Sequence, residues 1–357
     1  MQALVRRLRS DLPVIGITLF LFENCALILA TRGIRYHFDA LVLNAQLYIW
    51  AIGVLFVMHM GREMWRIRPA SPIALIGSTY FTNRETFERY VGGLPILLMQ
   101  ISLLPFFSAI KSAIPTFHAY NWDETFIEVD RFLFFGHDPW EVLQPVLGYA
   151  PITAALALIY TCWLALNYVG CAWILFARID NSLRRRFFLC FALSWSMIGG
   201  VMATLLASYG PAFIGPIMGN SHYIVLKAYL RGVNQQIPVL TIPVQNMLLS
   251  HFRDSDSGLG SGISAMPSMH VAICFLFYLV AREISPRAGR FFLALFIVIW
   301  IGSVHLGYHY AVDGLVSVVA VLALWRVSGA FIAWWDGKIG RASARQPVLR
   351  TNTVPAE

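Results

Sequence analysis

The chain has 357 residues, of which 58% are hydrophobic and 13% are charged, and its mean hydropathy is +0.63. Soluble domains carry about 25% charged residues, and a soluble fold of this size could not hide so many apolar side chains from water. The composition excludes a cytosolic enzyme, a disordered protein and a nucleic-acid module, and it indicates an integral membrane protein. The net charge of +8 is typical of basic cytoplasmic loops in such proteins.

Apolar windows recur along the whole chain, and most approach the roughly 20 residues that a helix needs to cross the hydrocarbon core. They lie at 13–31, 40–60, 94–117, 151–177, 187–208, 265–281, 291–309 and 311–335. The sixth window is short, and a short interfacial helix starting near Pro139 is expected before the fourth. The sequence predicts an all-α fold, a polytopic membrane helical bundle with about eight transmembrane helices.

Basic residues fall on one side of the membrane if all eight windows span it. They cluster at Arg6–Arg9, Arg62–Arg89, Arg178–Arg186, Arg282–Arg290 and Lys338–Arg350. Segment 118–142, on the opposite side, is acidic. Because cytoplasmic loops carry the excess of Lys and Arg, the alternation predicts that both termini are cytoplasmic and that the protein lies in the plasma (inner) membrane.

The same pattern divides the chain into three regions. Residues 1–93 contain two N-terminal transmembrane helices and a cytoplasmic connector. Residues 94–336 form a six-helix core with an external insert at 209–264, and residues 337–357 are expected to be a disordered cytoplasmic tail. The insert ends in a flexible run at 254–262 close to the membrane, which is either a lid or a plain linker.

A first group of polar residues precedes the sixth window, in the segment Ser264–His270. Pro267 suits the first turn of a helix, which would also contain Ser268 and His270. Free backbone N–H groups and the helix dipole favour an anion such as phosphate there, and a histidine could donate a proton to a leaving oxygen. The alternative is that Ser268 is only a helix N-cap beside an interfacial histidine.

A second group surrounds the boundary between the last two windows. On one helix, His309 and Asp313 would share a face, so the carboxylate could accept the Nδ1 proton and leave Nε2 as a nucleophile or base. His305 would extend this stripe by one turn, which also allows a zinc site, although one straight helix presents three ligands poorly to one ion. Alternatively, these polar groups only hold helices together.

PSxH followed by HxxxD, each at the external end of a span, resembles the type 2 phosphatidic acid phosphatase superfamily. The sequences Met-Pro-Ser-Met-His270 and His309-Tyr-Ala-Val-Asp313 are similar to its inositolphosphotransferase branch, which includes the fungal inositol phosphorylceramide synthases. Tyr209-Gly-Pro211 and the run Val129–Pro139 are similar to that branch as well. The resemblance covers roughly residues 94–335.

The resemblance implies a role for each motif residue. His309 would be the nucleophile that attacks the lipid phosphorus and forms a phosphohistidine, and Asp313 would orient it. His270 would be the general acid that protonates the departing alkoxide, while Ser268 and nearby backbone amides would hold phosphate oxygens. The implied reaction needs no metal and no other cofactor.

The chain departs from the family's phosphatases around the phosphate. It has no KxxxxxxRP string, it has Ser303 where they place an arginine, and Met269 replaces the glycine of PSGH. Phosphoryl transfer needs positive charge near the phosphate oxygens, so other cations must serve. The residues predicted to bind phosphate are His305, Lys227, Arg231 and Arg131. Lys111 and Arg253 are further external candidates for this role, and Lys111 lies in the third apolar window, where a charge is expensive.

Together these features predict a membrane-embedded lipid phosphotransferase with its catalytic core in residues 94–336 and its active site on the external, periplasmic side. It would move a phosphoryl-linked head group from a phospholipid to a lipid or alcohol acceptor. The expected partners are these substrates and membrane lipids, with no nucleic acid. One alternative is a lipid phosphate phosphatase that uses the same histidines on phosphatidate or a polyprenyl phosphate. Another is a transporter with a His/Asp relay, which would spread polar residues through the membrane rather than gather them at one face.

Overall fold

A computed structural model of the chain describes residues 2–34, 36, 38–254 and 262–344. Within these ranges it is all-helical and contains no β-strand. Among the residues that the structure describes, seven helices are long and apolar enough to cross a membrane. The prediction of an all-α polytopic membrane bundle is confirmed.

The α-helices are numbered α1 to α15 in chain order. The first part of the chain forms α1 (Gln2–Thr31), α2 (Phe38–Ile67), α3 (Pro72–Ile76), a π-helical turn (Gly77–Thr82), α4 (Arg84–Phe117), α5 (Asp123–Leu133), α6 (Pro139–Leu147) and α7 (Ala150–Phe176). The second part forms α8 (Asn181–Leu193), the π-helical segment Ser194–Met202, α9 (Ala203–Leu205), α10 (Pro211–Met218), α11 (Ile224–Gln236), α12 (Thr241–Asp254), α13 (Met269–Ile284), α14 (Pro286–His305) and α15 (Ala311–Ala344). The interfacial helix expected near Pro139 is α6.

The sixth predicted span is α13, which has 16 residues and is shorter than the seven candidate spans. It is joined to α14 at Ser285, and the two helices return to the same end of the bundle, where the rings of His270 and His309 are 6.3 Å apart. The end of α13 joins the start of α14, and the start of α13 lies near the end of α14, so the two helices pass through a similar depth of the bundle. Helix α13 can be short because it is enclosed by other helices.

Helix α13 is the centre of the core. It packs against α7, α8, α14 and α15, and Val271, Ala272, Ile273 and Cys274 are fully buried. A helix that is apolar on every face is typically buried on every face. The outer helices instead present large apolar side chains outward, including Phe20, Ile49, Val57 and Val319. Exposed apolar surface on this scale fits lipid contact.

Two of the expected region boundaries fall within helices of the structure. The boundary at residue 93 falls inside α4, which starts at Arg84 because the Asn83 side chain caps it by accepting from the Thr86 N–H at 3.0 Å. The insert 209–264 contains α10, α11 and α12, and most of its predicted flexible run, residues 255–261, lies outside the described residues. The predicted tail begins within α15, and residues 345–357 also lie outside the described part.

Two ion pairs, one of them fully buried, join three helices at the end of the bundle opposite the two histidines. The Arg184 guanidinium donates to both oxygens of Asp11 at 2.7 and 2.9 Å, and both side chains are 1% exposed. Arg185 binds Asp336 in the same bidentate way at 2.7 and 2.8 Å. These contacts tie α1 and α15 to α8.

Removing Arg184 with Arg184→Ala is expected to destabilise the fold by about 3–5 kcal/mol, because it leaves the buried Asp11 carboxylate without its partner. Thermal unfolding of the purified protein in detergent measures the effect. The matched control is Arg84→Ala, which removes an exposed arginine from its pair with Glu88 and should cost at most about 0.5 kcal/mol. Equal unfolding midpoints for the two variants would contradict the structural role of Arg184.

Candidate active site

The imidazole of His309 is held in one orientation by two acceptors. Its Nδ1 lies 2.8 Å from the Ala265 carbonyl oxygen and 3.1 Å from Oδ2 of Asp313. Because both partners can only accept here, Nδ1 carries the proton and Nε2 keeps its lone pair. Burial, together with the charge of Lys111, lowers the pKa of His309 and so favours the neutral ring. A neutral imidazole with a free Nε2 is a nucleophile.

His309 lies in a turn, not on a helix. The chain leaves α14 at His305, reverses at Gly307, whose φ is +73°, and enters α15 at Ala311. Asp313 is in the first turn of α15, and its Oδ2 also accepts from the Tyr310 N–H at 3.1 Å. The predicted contact between His309 and Asp313 is present, although it comes from this turn and not from a helical face.

The expected single-helix stripe of His305, His309 and Asp313 is wrong, because the reversal at Gly307 separates His305 from the other two. The His305 Nε2 lies 2.9 Å from Oγ1 of Thr153, and its ring is fully buried against Tyr229. Among the described residues there is no group of three or more His, Cys, Asp or Glu side chains that could hold a metal. The zinc alternative therefore has no ligand set in this part of the chain.

Ser268 and His270 have different positions in the structure: Ser268 caps a helix, and His270 faces His309. Ser268 is fully buried and is the N-cap of α13, where its Oγ accepts from the Val271 N–H at 3.4 Å. Pro267 precedes this cap and does not lie in the first turn as expected. His270 is in that turn, with its ring stacked on Tyr160 at 4.4 Å and 4.1 Å from the ring of Trp163. The aromatic rings fix the His270 imidazole opposite His309.

The two histidines face a cavity of about 500 Å³. Its walls are mostly apolar and aromatic and come from α2, α4, α7, α12 and the π-helical segment. Polar side chains are few, among them Ser108, Asn167 and Ser264. A cavity of this size and character is typical of a site for a small molecule or part of a lipid.

Of the cations in the described ranges, Lys111 is the one that lines this cavity. Lys227 and Arg231 lie together on α11, where burial and the neighbouring Arg231 lower the pKa of Lys227, and Arg131 is exposed on α5. None of these three residues, nor His305 or Ser268, borders the cavity. The sequence places Lys111 in an apolar window, and the structure shows that this window ends beside the two histidines.

Two buried carboxylates on α5 position the loops of the site, and sequence reasoning gave neither of them a function. Asp123 accepts from the N–H groups of Tyr209 and Gly210 at 2.9 and 2.8 Å, and from the Tyr310 hydroxyl at 2.7 Å. Burial raises the pKa of Asp123. A signal existed in the sequence, since Asp123 and Asp130 are two helical turns apart and thus share a face of α5.

Asp130 holds the start of α15. Its two oxygens accept from the N–H groups of Ala311 and Val312 at 2.7 and 2.9 Å, where the helix N-terminus favours an acceptor. Burial raises the pKa of Asp130 to about 7. Since Asp313 is in this same helical turn, Asp130 sets the position of the carboxylate that orients His309.

Gly210 has no room for a side chain. Its φ is +85°, and an added Cβ would lie 2.8 Å from both the Ala265 Cβ and the Tyr308 carbonyl oxygen. The neighbouring Ser208 carbonyl accepts from the Ala265 N–H at 2.9 Å. The close approach of this loop therefore fixes the backbone of Ala265, whose carbonyl oxygen holds His309.

A family model described as the PAP2 superfamily matches residues 124–327, which is more than half of the chain. The chain belongs to the PAP2 superfamily. No curated protein and no solved structure matches it. Members of the PAP2 superfamily are phosphatases and phosphotransferases, so this chain is an enzyme of the type that acts on lipid phosphates.

The PAP2 match runs from α5 into α15 and so includes His270, His309 and Asp313. The resemblance inferred from the motifs is thereby confirmed for the superfamily, over a shorter range than the expected 94–335. Helices α1, α2 and α4 precede the match. Lys111, on α4, therefore comes from outside the matched part of the chain.

Gly210→Ala is expected to remove most of the activity of this PAP2 enzyme, because the new methyl group must displace Ala265 or the backbone of Tyr308. Its control is Gly219→Ala, a glycine with φ of +73° and no atom near an added Cβ. Both variants are strained by a positive φ: Gly219 is in the left-handed region, which costs alanine about 1–2 kcal/mol, and Gly210, with ψ of 166°, is in a region nearly restricted to glycine, which costs about 1–3 kcal/mol. Phospholipid turnover and thermal unfolding are measured together. Similar activities in the two variants would show that the close contact at Gly210 is unimportant.

Proposed function

We propose that this chain is a phosphotransferase that moves a phosphoryl-linked head group from a phospholipid to a lipid or alcohol acceptor, through a phosphohistidine at His309. The observation that supports it best is the double hydrogen bond to Nδ1 of His309, which leaves Nε2 as the nucleophilic atom. The assignment to the inositolphosphotransferase branch rests on the motif sequences and is part of the same proposal.

In the first step, Nε2 of His309 attacks the phosphorus of the donor lipid and forms an N–P bond. The P–O bond to the diacylglycerol breaks, and protonated His270 gives its proton to the departing oxygen. Asp313 and the Ala265 carbonyl keep the Nδ1 proton in place and stabilise the ring as it becomes positively charged. The product is diacylglycerol, and the head-group phosphate stays on His309.

In the second step, the hydroxyl of the acceptor attacks the same phosphorus. Neutral His270 takes the hydroxyl proton, a new P–O bond forms and the N–P bond breaks. His309 returns to its neutral form with the proton still on Nδ1. Both steps proceed at one phosphorus between the two imidazoles, whose ring centroids are 6.3 Å apart.

Transfer, as opposed to hydrolysis, is favoured by the cover over the cavity. Helix α12 contributes Val244, Met247 and Leu248 to the lining. It is held to the site by the Tyr308 hydroxyl, which donates to the Thr241 carbonyl at 3.1 Å, and by Gln245, whose Nε2 donates to the Leu306 carbonyl at 3.0 Å. An apolar cover of this kind excludes water from an intermediate that must survive until the acceptor arrives.

Lys111 is the cation that we assign to the phosphate oxygens, in preference to His305, Lys227, Arg231 and Arg131. It lines the same cavity as His270 and His309. A cation at this point stabilises the negative charge that the equatorial oxygens carry in the transition state. Lys111 would supply the positive charge that the KxxxxxxRP motif, and the arginine at the position of Ser303, supply in the family's phosphatases.

The proposal includes the orientation of the protein. Both termini are assigned to the cytoplasm, and the active site is assigned to the external side of the plasma (inner) membrane. The support is the basic character of the loops at the end of the bundle that holds Arg184 and Arg185, and the acidic character of α5 at the other end. With α13 counted as a pass, the chain crosses the membrane eight times.

Product analysis with a phospholipid labelled in its head group separates transfer from hydrolysis. With ceramide present as acceptor, the purified protein should form a new lipid that carries the label, whereas diacylglycerol as acceptor would only regenerate the donor. His309→Ala should abolish this product, because no other group supplies the nucleophile. Release of the labelled, phosphorylated head group into water without a new lipid would identify a hydrolase instead, and activity that survives in His309→Ala would overturn the mechanism.

Lys111→Met is expected to lower kcat by about 100-fold with a small change in KM, since the charge acts mainly on the transition state. Lys227→Met removes a lysine that lies outside the cavity, and its kcat should stay within about twofold of the parent. Steady-state kinetics on the labelled phospholipid provide both values. A larger loss in Lys227→Met than in Lys111→Met would reverse the assignment.

Cysteine labelling in vesicles of known orientation checks the sidedness. Phe135→Cys is a highly exposed position after α5, and Arg178→Cys is an exposed position after α7. A membrane-impermeant maleimide should label Phe135→Cys in right-side-out vesicles and Arg178→Cys in inside-out vesicles. The unsubstituted chain controls for its own five cysteines. The opposite pattern would place the active site in the cytoplasm.

A further inference from the structure

A second cavity of about 500 Å³ lies beside the catalytic one, between α1, α4 and the π-helical segment. Most of its lining is apolar, including Leu21, Phe22, Ile28 and Ile110. Along α1 the lining extends from Leu21 to Arg32, a length of about 16 Å at the rise of an α-helix. This depth suits an acyl chain that enters parallel to the helices.

The mouth of this second cavity carries a positive charge. Arg32 directly follows α1, and its guanidinium lies over the ring of Phe117, the last residue of α4, at 5.2 Å from the centroid. Within the described ranges no carboxylate forms an ion pair with Arg32. Because Lys111 is also close to the end of α4, the mouth is at the same end of the bundle as the catalytic cavity. A cation at the mouth of an apolar cavity complements a lipid with an anionic head group.

One layer of aromatic side chains separates the two cavities. Phe107 and Trp195 line both of them, with ring centroids 4.5 Å apart. Phe107 packs directly on the backbone of Gly199, where an added Cβ would collide with its ring. Gly200, the next residue, lines the second cavity, and a Cβ added to Gly200 would lie in open space, with no close contact. The rings of Phe107 and Trp195 are therefore the partition between the two cavities.

We propose that the second cavity is a binding site for a diacyl phospholipid from the bilayer, with an acyl chain inside the cavity and the phosphate at Arg32. The site places a donor lipid next to the catalytic cavity, on the far side of Phe107 and Trp195. Its place in the reaction rests on the proposed function, whereas the binding itself does not require turnover.

Photolabelling tests the site in the His309→Ala background, which prevents turnover. The probe is phosphatidylglycerol with a diazirine at the end of one acyl chain, and labelled residues are found by mass spectrometry. Adducts are expected on lining residues of the second cavity such as Cys25 and Val201. Gly200→Leu should reduce these adducts about tenfold, because its side chain fills the space, while adducts on Met247 in the catalytic cavity remain. Gly53→Leu, on an open face of α2, is the matched control.

Arg32→Gln tests the chemical class of the ligand. It should lower the phosphatidylglycerol adducts about fivefold, and it should leave labelling by a diazirine diacylglycerol unchanged. If diacylglycerol labels the cavity as well as phosphatidylglycerol does and Arg32→Gln has no effect, the site binds neutral lipids and the proposal is wrong. Absence of adducts in the cavity also overturns it. Val201→Trp provides a second way to fill the space if Gly200→Leu fails to fold.

The two proposals fail in different assays. Labelling of the second cavity in a chain that shows neither transfer nor hydrolysis would leave the lipid site standing and remove the proposed function. Transfer activity with no labelling of the second cavity would do the reverse.

Discussion

The site depends on how one imidazole is held in apolar surroundings. Water cannot hydrogen-bond to a buried histidine ring, so the tautomer is determined by the acceptors that the protein places beside one ring nitrogen. His309 receives two acceptors on Nδ1, the Ala265 carbonyl and Asp313. Ala265 lies in the loop before α13 and Asp313 in the first turn of α15. Each depends on a contact from a distant part of the chain, and these contacts explain why the surrounding loops pack as they do.

Helix α5 supplies most of these contacts, although no residue of it lines the catalytic cavity. Asp130 fixes the N-terminal turn of α15, and therefore Asp313. Asp123 fixes the loop at Gly210, and through Ser208 and Gly210 that loop fixes Ala265. Carboxylates with several backbone N–H donors are stable when buried, because their hydrogen-bonding capacity is used. The two carboxylates of α5 thus support the loops that hold His309.

The sequence predicts the architecture well, since hydropathy over about 20 residues reports directly on membrane spans. It also predicts the contact between His309 and Asp313, although for the wrong geometric reason. Gly307 reverses the chain just before the HxxxD motif. An argument that assumes one continuous helix cannot predict this reversal. The sequence counts Lys111 among the external candidate cations but does not favour it, because a charge in an apolar window is costly. The neighbours of Lys111 in space, His270 and His309, are far away in the sequence, and spacing rules reach only across one or two helical turns.

The most direct test of the phosphohistidine mechanism is to isolate the intermediate. The protein is mixed with a phospholipid without any acceptor, quenched in alkali, which preserves an N–P bond, and digested for mass spectrometry. The peptide containing His309 is expected to gain the mass of the head-group phosphate. Asp313→Asn should slow this gain, and acid should release the group. Turnover accompanied by an adduct on another residue, or by none at any time point, would contradict the mechanism.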